Sequence, residues 1–294
     1  MAFWQLSVPT LPETSDGLTN FLWEQGALGV VEEESPGEAP RLRAFFADTA
    51  SSTGLLRAVA AYCASLGAMG LPIAPAEPEI APLLEEAWAS AWQQSFPPRE
   101  VGRRLFIRPP WDDTKAGAGR VSVVVEPGRA FGTGHHGSTE GCLALLDLAL
   151  AEQPDARILD IGTGTGILAI AAVMLGAPAV LAIDVDPDAL AAARKNAEAN
   201  GCADHIALAM HGPEELPEGG RFPLVLANLL AHTHLALVPQ YGRLVAPGGR
   251  LVLGGILADE DGRVIAALAP AGFTLRRRLV LEGWSSLLLA AGRP

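Results

Sequence analysis

Residues 157–184 read RILDIGTGTGILAIAAVMLGAPAVLAID. The run Ile158-Leu159-Asp160-Ile161 predicts a buried strand, Gly162-Thr163-Gly164-Thr165-Gly166 breaks it, and an alanine-rich apolar segment predicts a helix that Gly176 and Pro178 end. A second strand, Ala179 to Ile183, delivers Asp184 at its carboxyl end. The unit is strand, glycine turn, helix, strand. From Gln153 onward the alternation continues, with strands predicted near 157–161, 179–184, 205–209, 222–227 and 250–256. Helical patterns fall near 166–175, 187–200, 230–240 and 258–269. Such alternation predicts a parallel, doubly wound α/β sheet.

Glycines suit the turn because side chains would keep a ligand off the backbone, while the free amides that open the helix offer donors and partial positive charge. An acid ending the next strand is placed to accept from both hydroxyls of a ribose, so an adenosine-type ligand fits. Gly164, Gly166 and Ala169 satisfy the dinucleotide spacing G-x-G-x-x-G/A, and Asp160, Gly162, Gly164 and Gly166 the D-x-G-x-G-x-G of S-adenosylmethionine enzymes. The last apolar runs, Phe273 to Leu281 and Ser285 to Ala290, are joined only by Glu282-Gly283-Trp284. So short a link forces an antiparallel hairpin, which favours the seven-stranded, Rossmann-like methyltransferase sheet over a plain nucleotide-binding fold.

The chain has 294 residues, 49% hydrophobic and 18% charged, which is room for about two globular domains. Residues 161–183 carry no charge, but their glycines and Pro178 argue for a buried helix and strand rather than a membrane span. The start, MAFWQLSVP, has no basic run before an apolar stretch, so no secretory signal is expected. Cys63, Cys142 and Cys202 are odd in number and widely spaced, as in a protein of the reducing cytoplasm. A net charge of −12 opposes general binding to nucleic acid and favours a basic partner.

Ahead of the parallel sheet, residues 2–74 follow the order β-α-β-β-α-β, with Leu71 to Ala74 as the last strand, and predict a small ferredoxin-like domain. Leu83 to Gln94, with Trp88 and Trp92 on one face, reads as a linker helix that Pro97 and Pro98 close. The expected division is 1–78, linker 79–97 and 98–294. Arg104 to Arg108 and Val121 to Glu126 form a further pair of strands.

A second constellation, EPGRAFGTGHHGST at 126–139, lies just upstream of the glycine turn. Four glycines around Phe131, with Thr133 and His135, suit a loop whose backbone closes over a ligand. Ser138 or Thr139 serves as the expected cap of the next helix, Thr139 to Leu150. His135-His136 and His232-x-His234 lack an acidic partner at the spacing of zinc or iron sites, so no metal is expected. Asn228 ends the fourth parallel strand at the edge where such sheets bind ligands. The following Leu229-Leu230 lacks the prolines and aromatic ring of methylases that act on planar nitrogen.

Together, Phe96-Pro97, Pro109-Pro110-Trp111, EPGRAFGTGHHGST, DIGTGTGILAIAA, AIDVDP, ANLL and LVAPGGRLVLGGIL resemble the PrmA family, methyltransferases of ribosomal protein L11. The resemblance implies an N-terminal ferredoxin-like substrate-recognition domain, a linker helix and a methyltransferase domain using S-adenosyl-L-methionine. It implies a cytoplasmic, monomeric protein-lysine N-methyltransferase acting on lysine side chains and the N-terminal α-amino group of L11, free of the ribosome and without nucleic acid or membrane. The family's cofactor contacts fall on Thr139, Gly162, Asp184 and Asn228, beside Asp160, Gly164 and Gly166 of the glycine motif. The loop carrying Phe131, Thr133 and His135 lies near the methyl group, which makes Asn228, Phe131 and His135 the candidate catalytic residues. Departures from the family pattern are Gly137-Ser138, Gln93 and Gly254. No general base stands out, so catalysis by positioning and desolvation is expected. The rival readings are an NAD-dependent oxidoreductase, a non-catalytic binder of S-adenosylmethionine, and another amine methyltransferase.

Overall fold

The computed structural model describes residues 2–33, 40–47, 50–75, 77–84, 96–127, 132, 134–154 and 156–292. The chain folds as two compact units, residues 1–96 and 97–294.

The first unit runs β1 (Ala2–Pro9), α1 (Pro12–Glu24), β2 (Gly29–Glu33), β3 (Arg41–Ala47), α2 (Ser52–Ala68) and β4 (Glu79–Leu84). The sheet order β2-β3-β1-β4, with every neighbouring pair antiparallel, is the ferredoxin-like arrangement. Alternate strand residues Leu6, Val8, Leu42, Ala44 and Phe46 meet Leu18 and Leu22 of α1 and Leu55, Val59 and Leu66 of α2 in one core. Ser51 caps α2, accepting from the Gly54 amide at 3.1 Å.

The last strand differs from expectation. Residues 71–74 have no regular structure, and Leu71 and Ile73 are each 38% exposed. The strand is Glu79–Leu84, which pairs with β1 where the linker helix was expected to begin. Pro82 obscured it in the sequence, yet a proline is tolerated because β4 lies at the sheet edge and need donate to one neighbour only. The remainder of the expected linker helix, with Trp88, Trp92 and Gln93, lies outside the described residues.

The second unit opens with a small sheet, β5 (Arg99–Val101), β6 (Leu105–Arg108) and β7 (Val121–Val124). Then come α3 (Gly137–Glu152), β8 (Ile158–Ile161), α4 (Ile167–Met174), β9 (Val180–Asp184), α5 (Pro187–Ala199) and β10 (Ile206–Met210). β11 (Phe222–Asn228), α6 (Ala231–Leu244), β12 (Val245–Leu257), α7 (Asp261–Leu268), β13 (Phe273–Leu281) and β14 (Trp284–Ala291) complete it. The seven strands lie in the order β10-β9-β8-β11-β12-β14-β13. The first five are parallel, and β14 runs antiparallel between β12 and β13.

Both faces of this sheet are covered, which is why its central strands read as continuous apolar runs. Ile158, Leu226 and Val252 pack under α3 and α4 on one face, and Leu159, Val225 and Leu251 meet Tyr241 and Val264 on the other. Glu282 (φ 51) and Gly283 (φ 79) close the β13–β14 hairpin with two left-handed residues, as a twisted two-residue turn requires. Among the described residues no helix is long and apolar enough to cross a membrane.

Candidate active site at the strand switch point

The strand order reverses between β8 and β11, and the crevice outside their carboxyl ends is where open α/β sheets hold ligands. β8 leaves the sheet through Gly162 (φ 69), Gly164 (φ 54) and Gly166 (φ 81), all left-handed. The Gly162 and Thr163 amides donate to the Ile183 carbonyl at 2.9 and 3.1 Å, which ties the turn to β9. A β-carbon on Gly162 would lie 2.6 Å from Leu229 Cδ2, and one on Gly166 3.0 Å from Ala193 Cβ. The turn therefore needs glycine both for its backbone and for the neighbours that press on it.

Asp184 ends β9 and faces this turn. Its Oδ2 accepts from the Gly164 amide and its Oδ1 from the Asp186 amide, each at 3.0 Å. Each oxygen keeps a second lone pair for a ligand hydroxyl.

Asp160 is 1% exposed beneath the turn. Thr163 Oγ1 donates to its Oδ2 at 2.7 Å, while Oδ1 has no partner among the described residues. Burial pushes the Asp160 carboxyl up to about 7, the Thr163 hydroxyl and the Ala169 amide pull it back, and the nearby Asp184 charge adds to the rise.

On the neighbouring strand, Asn228 Nδ2 donates to Thr139 Oγ1 of α3 at 3.2 Å. Its Oδ1 is buried and likewise without a partner. Since Asp160 pairs in register with Leu226, two residues before Asn228, the two orphaned oxygens stand on one face of adjacent strands.

The 126–139 segment is anchored at several points. Phe131 and Thr133 lie outside the described residues. Gly132 O accepts from Thr165 Oγ1 at 2.6 Å, so the glycine turn itself holds the segment. Upstream, Asn200 accepts from Val124 N and donates to Val124 O, at 2.8 and 2.7 Å, as a neighbouring strand would. Asn196, 3% exposed, accepts from Glu126 N at 3.0 Å and donates to Thr165 O at 2.9 Å.

Downstream, Arg99 donates to His135 O at 3.1 Å and pairs with Glu140 at 2.9 Å. His135 Nε2 lies 2.8 Å from the Pro97 carbonyl. A carbonyl only accepts, so Nε2 carries the proton and the ring anchors the loop exit.

The helix cap differs from expectation: His136, not Ser138 or Thr139, caps α3, its ring accepting from the Ser138 amide. Burial drives His136 down to about 4, and its ring packs on Trp284 at 4.6 Å. The departure at Gly137 has a steric cause, because a β-carbon there would lie 2.6 Å from Leu281 O of the hairpin. Among the described residues no cluster of metal-ligating side chains occurs.

Asp160, the glycine turn, Asp184, Thr139 and Asn228 thus converge at the switch point, whereas His135 serves as an anchor. Thr165, Asn196 and Asn200 escaped the sequence reading. The signal for the two asparagines was an N-x-x-x-N spacing that sets the amides of the last turn of α5 and of its C-cap on one side.

Seven strands in this order with one antiparallel insertion, a glycine turn at the reversal and an acid closing the next strand define an S-adenosylmethionine-dependent methyltransferase. The residues fit that cofactor: the turn leaves its backbone bare, Asp184 retains acceptor capacity, and two buried oxygens await donors. Residues 2–291 match the profile of the ribosomal protein L11 methyltransferase (PrmA) family, and the chain belongs to it.

A ribosomal protein L11 methyltransferase of Pelotomaculum thermopropionicum is 33% identical over 309 aligned positions, 98% of each chain. One from Geobacter metallireducens is 41% identical over 220, covering 75% of this chain and 71% of the relative. The crystal structure of ribosomal protein L11 methylase from Lactobacillus delbrueckii subsp. bulgaricus superposes with a TM-score of 0.61 at 31% identity. It covers 67% of this chain and 99% of that one.

Proposed function

We propose that the protein transfers methyl groups to lysine side chains and to the N-terminal α-amino group of ribosomal protein L11. It acts as a monomer in the cytoplasm, on L11 free of the ribosome. The observation that carries the reading is the pair of orphaned acceptors, Asp160 Oδ1 and Asn228 Oδ1, at the switch point of a chain that matches the family over residues 2–291. In this reading the ferredoxin-like unit recognises the substrate and the second unit carries the chemistry.

S-adenosylmethionine supplies an electrophilic methyl on a sulfonium. Asp184 takes the ribose hydroxyls, Gly162, Gly164 and Gly166 leave room for the nucleoside, and Thr139 fixes the amide of Asn228. Asp160 supports the turn from below through Thr163. Phe131 and Thr133 keep the roles that the family resemblance implies, and His135 holds the Pro97 carbonyl where the described chain resumes.

The acceptor amine must be neutral. A lysine of pKa about 10.4 is neutral in roughly one molecule in two thousand at pH 7, a handicap of about 4–5 kcal/mol. A dry site lowers that pKa, and Asn228 Oδ1 accepts an amine N–H and aims the lone pair. His136 and His234 are poor bases: burial holds both near 4, and Ser138 and Tyr241 occupy ring nitrogens of each. Positioning and desolvation then provide the rate enhancement.

The test incubates the purified protein with methyl-labelled S-adenosylmethionine and either recombinant L11 or intact large ribosomal subunits, followed by mass spectrometry. Label on L11 lysines and its N-terminus, with much less on intact subunits, is expected. No label on L11, or label in RNA, overturns the reading.

A further inference from the structure

Beneath the strand end that carries Asn228 lies a polar pair that the transfer reaction leaves unused. His234 and Tyr241 of α6 are both 0% exposed within an otherwise apolar layer. Tyr241 Oη lies 2.8 Å from His234 Nδ1, and His234 Nε2 lies 2.8 Å from the Gly254 carbonyl oxygen. The carbonyl can only accept, so Nε2 bears the proton. Nδ1 must then accept, and the Tyr241 hydroxyl donates to it. One tautomer is thereby imposed. Burial keeps the ring neutral at physiological pH, since it lowers His234 to about 4.

The recipient carbonyl matters. Gly254 stands opposite Asn228 in the parallel register, and its oxygen also accepts from Leu229 N at 3.1 Å. One carbonyl therefore holds the residue after Asn228 with one lone pair and α6 with the other. There is little slack around it: a β-carbon at 254 would lie 2.9 Å from Asn228 Oδ1, and one at 255 would lie 2.5 Å from Leu229 O. The helix that follows Asn228 has no side-chain cap at Leu230, and the His234 ring ties its first turn to the Gly254 carbonyl. A leucine and a phenylalanine would fill the same volume without burying polar atoms. What they would lack is direction.

We propose that His234, held in one tautomer by Tyr241, is a positioning residue for Asn228: through the Gly254 carbonyl it sets where the strand end presents the Asn228 amide. The inference rests on the reading above, in which Asn228 contacts the cofactor or the acceptor amine.

The experiment compares His234→Leu, His234→Gln, Tyr241→Phe and Asn228→Ala, together with the His234→Leu/Asn228→Ala double variant. Turnover on L11, KM for S-adenosylmethionine and thermal midpoint are measured for each. His234→Leu is expected to lower kcat/KM about tenfold, because small misplacements of a contact group are costly. His234→Gln, whose amide can still donate to Gly254 O, should recover most of that loss. In the Asn228→Ala background His234→Leu should add less than about twofold, since residues acting through one another are not additive. Should His234→Leu fail to accumulate, Tyr241→Phe, which deletes only the hydroxyl, makes the same comparison in both backgrounds.

Equal losses in the presence and absence of Asn228 overturn the proposal. So does a glutamine variant as impaired as the leucine one. If Asn228→Ala alone leaves kcat/KM unchanged, the placement of Asn228 in the site has failed, and that outcome is distinct from the other two.

Discussion

Gly254 of β12 lies directly against Cys142 of α3: a β-carbon at 254 would fall 2.3 Å from Cys142 Sγ. In this chain a thiol occupies the room that a side chain at 254 would take. That thiol is fully enclosed, and burial pushes it up to about 12. Gly254→Ser is expected to destabilise by about 1–3 kcal/mol through overpacking. Combined with Cys142→Ala it should recover much of the loss. Urea denaturation of the two single variants and the double variant checks this, and strictly additive losses would show that the contact is slack.

Asp184 makes one hydrogen bond to the turn and one to its own loop, at Gly164 and Asp186. Asp184→Ala removes those bonds together with the proposed ribose acceptor. Affinity for S-adenosylmethionine should fall at least about tenfold, since hydrogen bonds to a carboxylate are worth roughly 1.5–3 kcal/mol each. Isothermal titration calorimetry reads the change, and unchanged affinity would place the ribose elsewhere.

The buried titrating groups act in opposite directions on stability. Asp160 is raised to about 7 by burial, so the native protein keeps a proton that the unfolded chain has released, and stability falls as pH rises from about 4 through about 7. His136 and His234 are lowered to about 4 by burial. Their contribution is complete above about 6.5 and is lost as pH falls toward about 4. Asp160→Asn should therefore match the parent near pH 4 and surpass it by a growing margin up to pH 7. Urea midpoints across pH 4–8 measure that margin, and a margin independent of pH would mean that Asp160 is ionised throughout.

Asn196 joins Glu126 N to Thr165 O, and Thr165 in turn holds Gly132. Asn196→Ala leaves a half-buried amide and a buried carbonyl without their Asn196 partner. A cost of about 2–4 kcal/mol is expected, at roughly 1–3 kcal/mol for each orphaned group before relaxation. Asn200→Ala, at the more accessible end of α5, should cost less. Denaturation midpoints compare them, and equal costs would mean that water reaches both positions.

Residues near one another in the chain carried most of what could be read without coordinates. The glycines at 162, 164 and 166 announce a left-handed turn, because few other residues adopt that backbone. The alternation of apolar runs from 157 to 291 implies a parallel sheet with a terminal hairpin, the glycine motif and strand ends point to Asp160, Asp184 and Asn228, and only the family resemblance adds Thr139. These signals are local: they depend on side-chain period and backbone preference within a few residues.

Tertiary structure decided the rest. Whether Leu71–Ala74 or Glu79–Leu84 completed the first sheet depended on an open edge beside β1, which alone makes Pro82 acceptable. That His135 reaches the Pro97 carbonyl, 38 residues away in the chain, was set by the fold. His234 meets Gly254 across 20 residues, and Asn196 meets Glu126 across 70. A buried polar atom must find a partner wherever packing places one, and that demand is met by the fold as a whole rather than by neighbours in sequence.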